Sequence, residues 1–196
     1  MFKQKKAVMG VGMLLIFVAS IVSAAIAAAL LITSTNLLQD RAAKVQQDAT
    51  EGLISGLDVV SIYATGNMTT EIIYEFEFIT RLRAGSRPAQ LDSLGLTFIQ
   101  GENTATGYMN TSLIGDNCTF ENLQAETEFC VNKIFGDENT VLESGDMAII
   151  KYKLSNESAL PTDTPFDIIF QLRVGSPLIM ALQTPDMVLS SKIRLR

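Results

Sequence analysis

The chain has 196 residues, 21 acidic and 15 basic, giving a formal net charge of −6, and it contains neither histidine nor tryptophan. The basic residues form no patch beyond the N-terminal tip, which argues against a nucleic-acid partner. Without histidine, the commonest general base and metal ligand, zinc sites and histidine-based catalysis are excluded.

Lys3, Lys5 and Lys6 stand at the N-terminus, and no ionisable side chain then occurs until Asp40. Residues 8–32 are almost wholly Leu, Ile, Val, Phe, Met, Ala, Gly and Ser. A helix over this stretch is roughly 37 Å long, enough to cross a hydrocarbon core about 30 Å thick with some tilt. A cleavable secretory signal has an apolar region of only about 7 to 15 residues, so the run is too long for one. The lysines ahead of it, answered only by Arg41 and Lys44 among Asp40 and Asp48, predict a cytoplasmic N-terminus and an exported remainder. That remainder, about 140 residues, is a comfortable size for one domain.

The run is rich in small residues: Gly10, Gly12, Ala19, Ser20, Ser23, Ala24 and Ala25 lie on several faces of the helix. Small residues let helix backbones approach closely, so the pattern predicts a helix that packs against several others, the alternative being an Ala-rich single anchor. Beyond the run, Leu37, Leu38, Ala42, Val45, Ala49, Leu53 and Gly56 follow at steps of three and four, with charged and amide side chains between them. That is an amphipathic helix, continuous with the first or kinked at Thr33 to Asn36, whose hydroxyls can bond back to the backbone. Gly52 and Gly56 mark its expected end.

These residues resemble the archaellins, the archaeal flagellins. Lys5-Lys6-Ala7 followed by Val8, Gly10 and Gly12 is similar to their class III, type IV pilin-like signal, a basic leader cut by a prepilin-type signal peptidase. Ala7 matches the last leader residue, where Gly is commoner in the family, and Val8 the first mature one. Gly10-x-Gly12 matches the family's mature N-terminus and, embedded in an apolar run, is no nucleotide loop. Bacterial type IV pilins carry a Glu where this chain has Gly12. Looser likenesses follow in the helix-to-strand junction at 52–60, in Leu142-Glu143-Ser144-Gly145-Asp146, in Gly175-Ser176-Pro177-Leu178 and in Thr184-Pro185. The resemblance implies three parts: a cleavable leader over 1–7, an assembly helix over 8–56, and an extracellular immunoglobulin-like β-domain over 57–196.

The residues after Gly56 read independently as strands. Segments 57–63, 69–83, 94–99, 107–113, 128–135, 147–154, 166–174, 178–183 and 188–195 are short, rich in Ile, Val, Phe, Tyr and Thr, and separated by turn residues. In the second, Tyr74, Phe76 and Phe78 share one face, expected to meet the core, and Ile73, Glu75, Glu77 and Ile79 share the other. The fold class predicted is α+β, a long N-terminal hydrophobic helix followed by an all-β, immunoglobulin-like sandwich, with a barrel as the other closed arrangement.

Cys118 and Cys130, the two cysteines, most simply pair in an exported domain, the alternative being free thiols; archaellins do not require the pair. The loop closed would stabilise by roughly 3 kcal/mol. Asn67, Asn110, Asn117 and Asn156 each begin an Asn-x-Ser/Thr triplet near a predicted turn or strand end. Such triplets accept N-glycans on exported surfaces and also simply populate turns. The resemblance, to a family often N-glycosylated, favours use of at least one. Asp116, Asp137, Glu138 and Asp146 carry oxygens suited to calcium but lack EF-hand spacing, so they read as a solvated acidic surface. No cofactor, metal or catalytic group is predicted, and the chain reads as a non-enzyme.

Once extracted from lipid, the apolar helix must be buried against something, and identical helices from other copies are the available partners. Burying ~1,000 Å² per subunit is worth ~25 kcal/mol before association costs. A helical array gives every copy an equivalent environment without closing into a ring. Cleavage after Ala7 removes three lysines that could not be buried cheaply in such a core. The resemblance implies a structural subunit of the archaellum, the swimming filament outside the cell, inserted in the membrane as a precursor and polymerising with itself or with other archaellins. The alternatives are an archaeal adhesion pilin and a membrane-anchored β-domain protein such as a stator component.

Overall fold

The computed structural model describes the backbone of residues 2–137, 139–188 and 190–195, and their side chains apart from 2–9 and 51. The chain forms two compact units, residues 1–49 and 50–196.

Helix α1 runs over Phe2–Ile54, 53 residues, with no break at Thr33 to Asn36. The hydroxyls there stay inside the helix: Thr33 Oγ1 donates to the Ala29 carbonyl at 2.9 Å and Thr35 Oγ1 to Leu31 at 2.8 Å. Ser20 Oγ does the same with Ile16 at 2.9 Å. Each hydroxyl meets a carbonyl four residues back, so a polar side chain needs no partner outside the helix.

The second unit is built from strands β1 (Leu57–Asn67), β2 (Ile72–Leu82), β3 (Ala89–Gln90), β4 (Gly95–Gln100), β5 (Asn103–Ile114) and β6 (Glu128–Phe135). They are followed by β7 (Val141–Leu142), β8 (Met147–Lys153), β9 (Leu160–Pro161), β10 (Pro165–Gln171), β11 (Leu178–Gln183) and β12 (Lys192–Leu195). Nine of these answer to predicted strands; β3, β7 and β9 are two-residue pairings that no periodicity announces. The main sheet runs β11-β10-β4-β5-β6-β8-β2-β1-β12, with β9 beside β2, and β3 pairs with β7 separately.

All pairings are antiparallel except β5 with β6, which is parallel and interrupted between Met109 and Ile114. There the sheet folds over, and its two halves face each other. Phe76 on β2 meets Phe98 on β4 at 6.0 Å and Phe166 on β10 at 5.4 Å. Phe78 meets Phe170 edge-on at 5.2 Å, and Tyr152 on β8 packs on Phe98 at 6.2 Å. These rings, with Leu57, Leu96, Ile150 and Ile168 among others, are the sandwich core, and all of them are buried.

One expected facing is wrong. Phe76 and Phe78 are buried as predicted, but so is Ile73, while Tyr74 is only half-buried. The register explains it: Thr65 pairs with Glu75 and Gly66 with Ile73, so Tyr74 is an extra residue in a β-bulge and the alternation inverts beyond it. Gly66 permits the close approach, since a Cβ there would stand 2.6 Å from the Ile72 carbonyl oxygen.

Candidate assembly surface

From Gly10 to Thr50 every residue of α1 is exposed. Phe17 and Leu31 each expose 69% of their surface, and Val11, Leu14, Ile21 and Ile26 more than half. The segment Gly10–Ile54 is long and apolar enough to cross a membrane. Gly10 and Gly12 have nothing within 4 Å of where a Cβ would lie. In one chain this apolar surface has no cover, and water is a poor solvent for it. Lys5, Lys6, Ala7 and Val8 belong to the backbone of α1, but their side chains lie outside the described residues.

The last turn of α1 is fastened within the second unit. Ser176 Oγ donates to the Gly52 carbonyl at 3.1 Å and its amide to Ser55 O at 3.0 Å. Gly56 N donates to Ser86 Oγ at 3.1 Å, and Arg83 N to Gly56 O at 2.9 Å. Helix-terminal carbonyls that would otherwise be orphans thus find partners in two loops of the sandwich. The sequence marked Gly175-Ser176-Pro177-Leu178 only as a likeness to the family, not as the receptacle of the helix end.

A second feature surrounds the cysteines. Cys118 and Cys130 are joined, with Cα atoms 5.5 Å apart, and both are buried with Leu123 in a small cluster of their own. Lys151 Nζ donates to Cys118 O at 3.0 Å and Lys153 Nζ to Phe120 O at 3.2 Å, so β8 ties down the bridged loop.

The glycosylation triplets differ in presentation. Asn67, Asn117 and Asn156 are exposed. Asn110 is half-buried, and its Nδ2, the atom a glycan would join, donates to Glu128 Oε2 at 2.9 Å.

Of the acidic loop residues, Asp137 and Asp146 converge on Lys133, whose ammonium lies 3.2 Å from Asp137 Oδ1 and 3.1 Å from Asp146 Oδ2. Asp116 is exposed and lines the same cavity as Lys133 and Asn139 without an ion pair to that lysine, and Glu138 lies outside the described residues. The Lys133 cluster escaped sequence reasoning, which treated these acids as solvated. Hydrogen bonding from the Glu143 amide, then the Lys133 ammonium, holds the Asp146 carboxyl below its ordinary range.

The profile of archaeal-type flagellins matches residues 7–182. Flagellin B1 of Methanocaldococcus jannaschii is 28% identical over 210 residues, covering 99% of this chain and 97% of its own. Flagellin B1 of Methanococcus voltae is 27% identical, covering 92% and 91%. The crystal structure of an archaeal flagellin from Methanocaldococcus jannaschii has a TM-score of 0.63 at 22% identity, covering 72% of this chain and 96% of that one. The archaeal flagellum of Methanospirillum hungatei has a TM-score of 0.68 at 12% identity, covering 90% and 94%. At such identities the two structures speak to the fold, a long helix joined to a β-sandwich. The sequence match, spanning the apolar helix and nearly all of the sandwich, carries the conclusion that the chain belongs to the archaeal-type flagellin family.

Proposed function

We propose that this chain, a structural subunit of the archaellum filament used for swimming, enters its polymer through the apolar part of α1 after a leader is removed between Ala7 and Val8. The observation that carries this reading is the uncovered apolar surface of α1, continuous from Val11 to Ile32 and exposed throughout. The precursor holds that surface in lipid, with its N-terminus cytoplasmic. The filament holds it against the same helix of other copies or of other archaellins, with the β-domain outside the cell. Processing by a prepilin-type signal peptidase removes Lys3, Lys5 and Lys6, charges that lipid headgroups accommodate and a helical core does not. The chain carries out no chemistry of its own. An adhesion pilin and a membrane-anchored stator component are less favoured, since the family match runs through helix and sandwich alike.

The test is mass spectrometry of sheared extracellular filaments beside the membrane fraction. A filament-borne chain beginning at Val8 supports the reading. A chain confined to membranes and retaining residues 1–7 would sink it.

A further inference from the structure

The charges of the sandwich are sorted between its two ends. Where β2 and β10 finish, segments 83–88 and 172–177 carry Arg83, Arg87 and Arg173, all exposed, and no acid. They come together at a cavity of about 370 Å³ whose lining includes Leu82, Leu172, Val174, Arg87 and Arg173. Leu82 and Leu172 are buried and form its floor, while Arg87, Arg173 and Val174, the last 58% exposed, stand at its mouth. The Arg83 guanidinium lies beside Gly56, another lining residue. Among the described residues neither Arg83 nor Arg173 meets a carboxylate, whereas Arg81 is paired with Asp58.

At the opposite end, segments 101–102, 162–164 and 184–188 carry Glu102, Asp163 and Asp186, all exposed, and neither lysine nor arginine. The Asp163 amide donates to the Pro185 carbonyl at 3.3 Å, and Asp167 on β10 stands opposite Ile99 on β4, so the three segments share one corner. None of these acids is in an ion pair among the described residues. Met187, next to Asp186, is 65% exposed. No Asn-x-Ser/Thr triplet falls in the three segments.

Each corner supplies what the other lacks: arginines around an apolar floor, and carboxylates around an exposed methionine. Guanidinium and carboxylate match in planar, two-pronged geometry. The corners cannot meet within one chain, since β10, Pro165–Gln171, holds them roughly 20 Å or more apart. A contact between them therefore joins two copies. Its two faces differ, which makes it heterologous, the kind that propagates in an open helical array. The polar side of α1 is a poorer match for the arginines, because Asp40 and Asp48 alternate there with Arg41 and Lys44.

We propose that neighbouring copies of the sandwich dock head to tail, the corner of Glu102, Asp163 and Asp186 seated on the arginine-rimmed cavity of the next copy. The inference rests on the filament reading and names the contact that joins its outer domains. Alone the contact is small; packing of α1 holds the two sandwiches at high effective concentration and makes it persist.

The test uses sheared filaments of the unsubstituted chain and of Arg83→Lys with Arg173→Lys, which keeps the charge and supplies amines. A water-soluble carbodiimide, which joins amine to carboxylate without a spacer, is applied and the linked peptides are mapped by mass spectrometry. Links from positions 83 or 173 to Glu102, Asp163 or Asp186 are expected, and the separation within one chain makes them intermolecular. Links from those positions only to other carboxylates, those of α1 included, overturn the proposal, as does their absence. In a second arm, Glu102→Arg with Asp186→Arg is expected to lower filament yield about tenfold, and adding Arg83→Glu with Arg173→Glu to restore it. No loss from the first pair, or no recovery with the second, also overturns it. If the unsubstituted chain never reaches filaments, the filament reading fails and this contact with it; if filaments form without these links, the contact alone fails.

Discussion

Gly175 lies so close to Ser55 that a Cβ on the glycine would stand 2.5 Å from the Ser55 carbonyl oxygen, and its φ of +125 is one that L side chains rarely adopt. The same oxygen accepts the Ser176 amide at 3.0 Å. The Gly-Ser-Pro element is thus the seat of the helix terminus. Gly175→Ala is expected to lower stability by about 3 kcal/mol, from backbone strain together with a clash against backbone that has no easy retreat. Gly145→Ala is the control. That residue also has positive φ, at +102, but nothing stands within 4 Å of its Cβ, so only the conformational part, about 1 kcal/mol, applies. Thermal melts of the full chain in detergent should rank the two in that order, and equal losses would remove the packing argument.

Assembly through α1 makes a sharper demand. Ile21 is 61% exposed in the single chain and surrounded by apolar neighbours, with Ser20 the nearest polar group and its hydroxyl already bonded back to Ile16. Ile21→Asp places a carboxylate where neither lipid nor packed helices supply a partner, at roughly 3 kcal/mol or more per copy. Shearing should yield no filaments from such cells, while the sandwich keeps its melting temperature; Ile21→Leu should assemble normally. Normal filaments from the aspartate variant would mean that this face of the helix is not buried in the polymer.

The elements legible in the sequence were those whose signal is local and repeated. The apolar run could be read because the residues from 8 to 32 all agree, and β2 and β10 because β-branched and aromatic residues make up most of each strand. Tyr74 was misplaced because alternation is inherited from the neighbour before, and the bulge opposite Gly66 breaks that inheritance without marking the sequence. The pair Ala89 and Gln90 with Leu142 and Val141 is held by tertiary position, two residues a side, so no pattern could disclose it. The Lys133 cluster stayed hidden for a related reason: Lys133 and Asp146 are 13 positions apart, and each looks like an ordinary surface charge until the turn brings them together.

The bridge between Cys118 and Cys130 closes a loop with a sequence separation of 12, for which chain entropy gives about 3 kcal/mol. Replacing both by serine should lower the melting temperature by about 10 °C, since 1 kcal/mol corresponds to about 2–4 °C in a chain of this size. The loss should be local at first. The bridged loop retains its contacts to Lys151 and Lys153, so protease sensitivity is expected to appear around residues 118–130 before the sandwich opens. A double-serine variant as stable and as protease-resistant as the unsubstituted chain would show the bridge to be dispensable.

Glycan occupancy should follow presentation. Asn67 is exposed, and its Oδ1 accepts the Thr69 amide at 2.8 Å, holding the triplet in a compact turn. Asn110 makes the same kind of turn with Ser112 at 3.0 Å, but its Nδ2 is committed to the buried Glu128. If transfer follows folding, glycopeptide mapping of filaments should find Asn67 occupied and Asn110 bare. Glu128→Gln, which weakens the bond to Asn110, should not reduce occupancy at Asn67. Occupancy at Asn110 with Asn67 bare would reverse the ranking and point to transfer on the unfolded chain.

Acid should loosen the sandwich through Glu126, whose φ of +68 marks a constrained position between the bridged loop and β8. Hydrogen bonds from the Ser155 hydroxyl and then from Ser158 hold its carboxyl below the ordinary value of 4.5. A group whose folded pKa is depressed contributes stability that is present above its unfolded pKa and lost as pH falls through the folded one. Asp146 acts in the same direction from its ordinary value of 3.8. Glu75 acts oppositely: burial raises its carboxyl above 4.5, so protonation on the way down relieves an unfavourable charge in the folded state. As pH falls the melting temperature should therefore hold or rise slightly while Glu75, whose carboxyl is raised by burial, takes its proton, and decline only at lower pH, where the depressed carboxyls of Glu126 and Asp146 take theirs. Glu126→Gln should be less stable at neutral pH and lose less on further acidification. A variant whose acid limb is as steep as that of the unsubstituted chain would locate the acid sensitivity elsewhere.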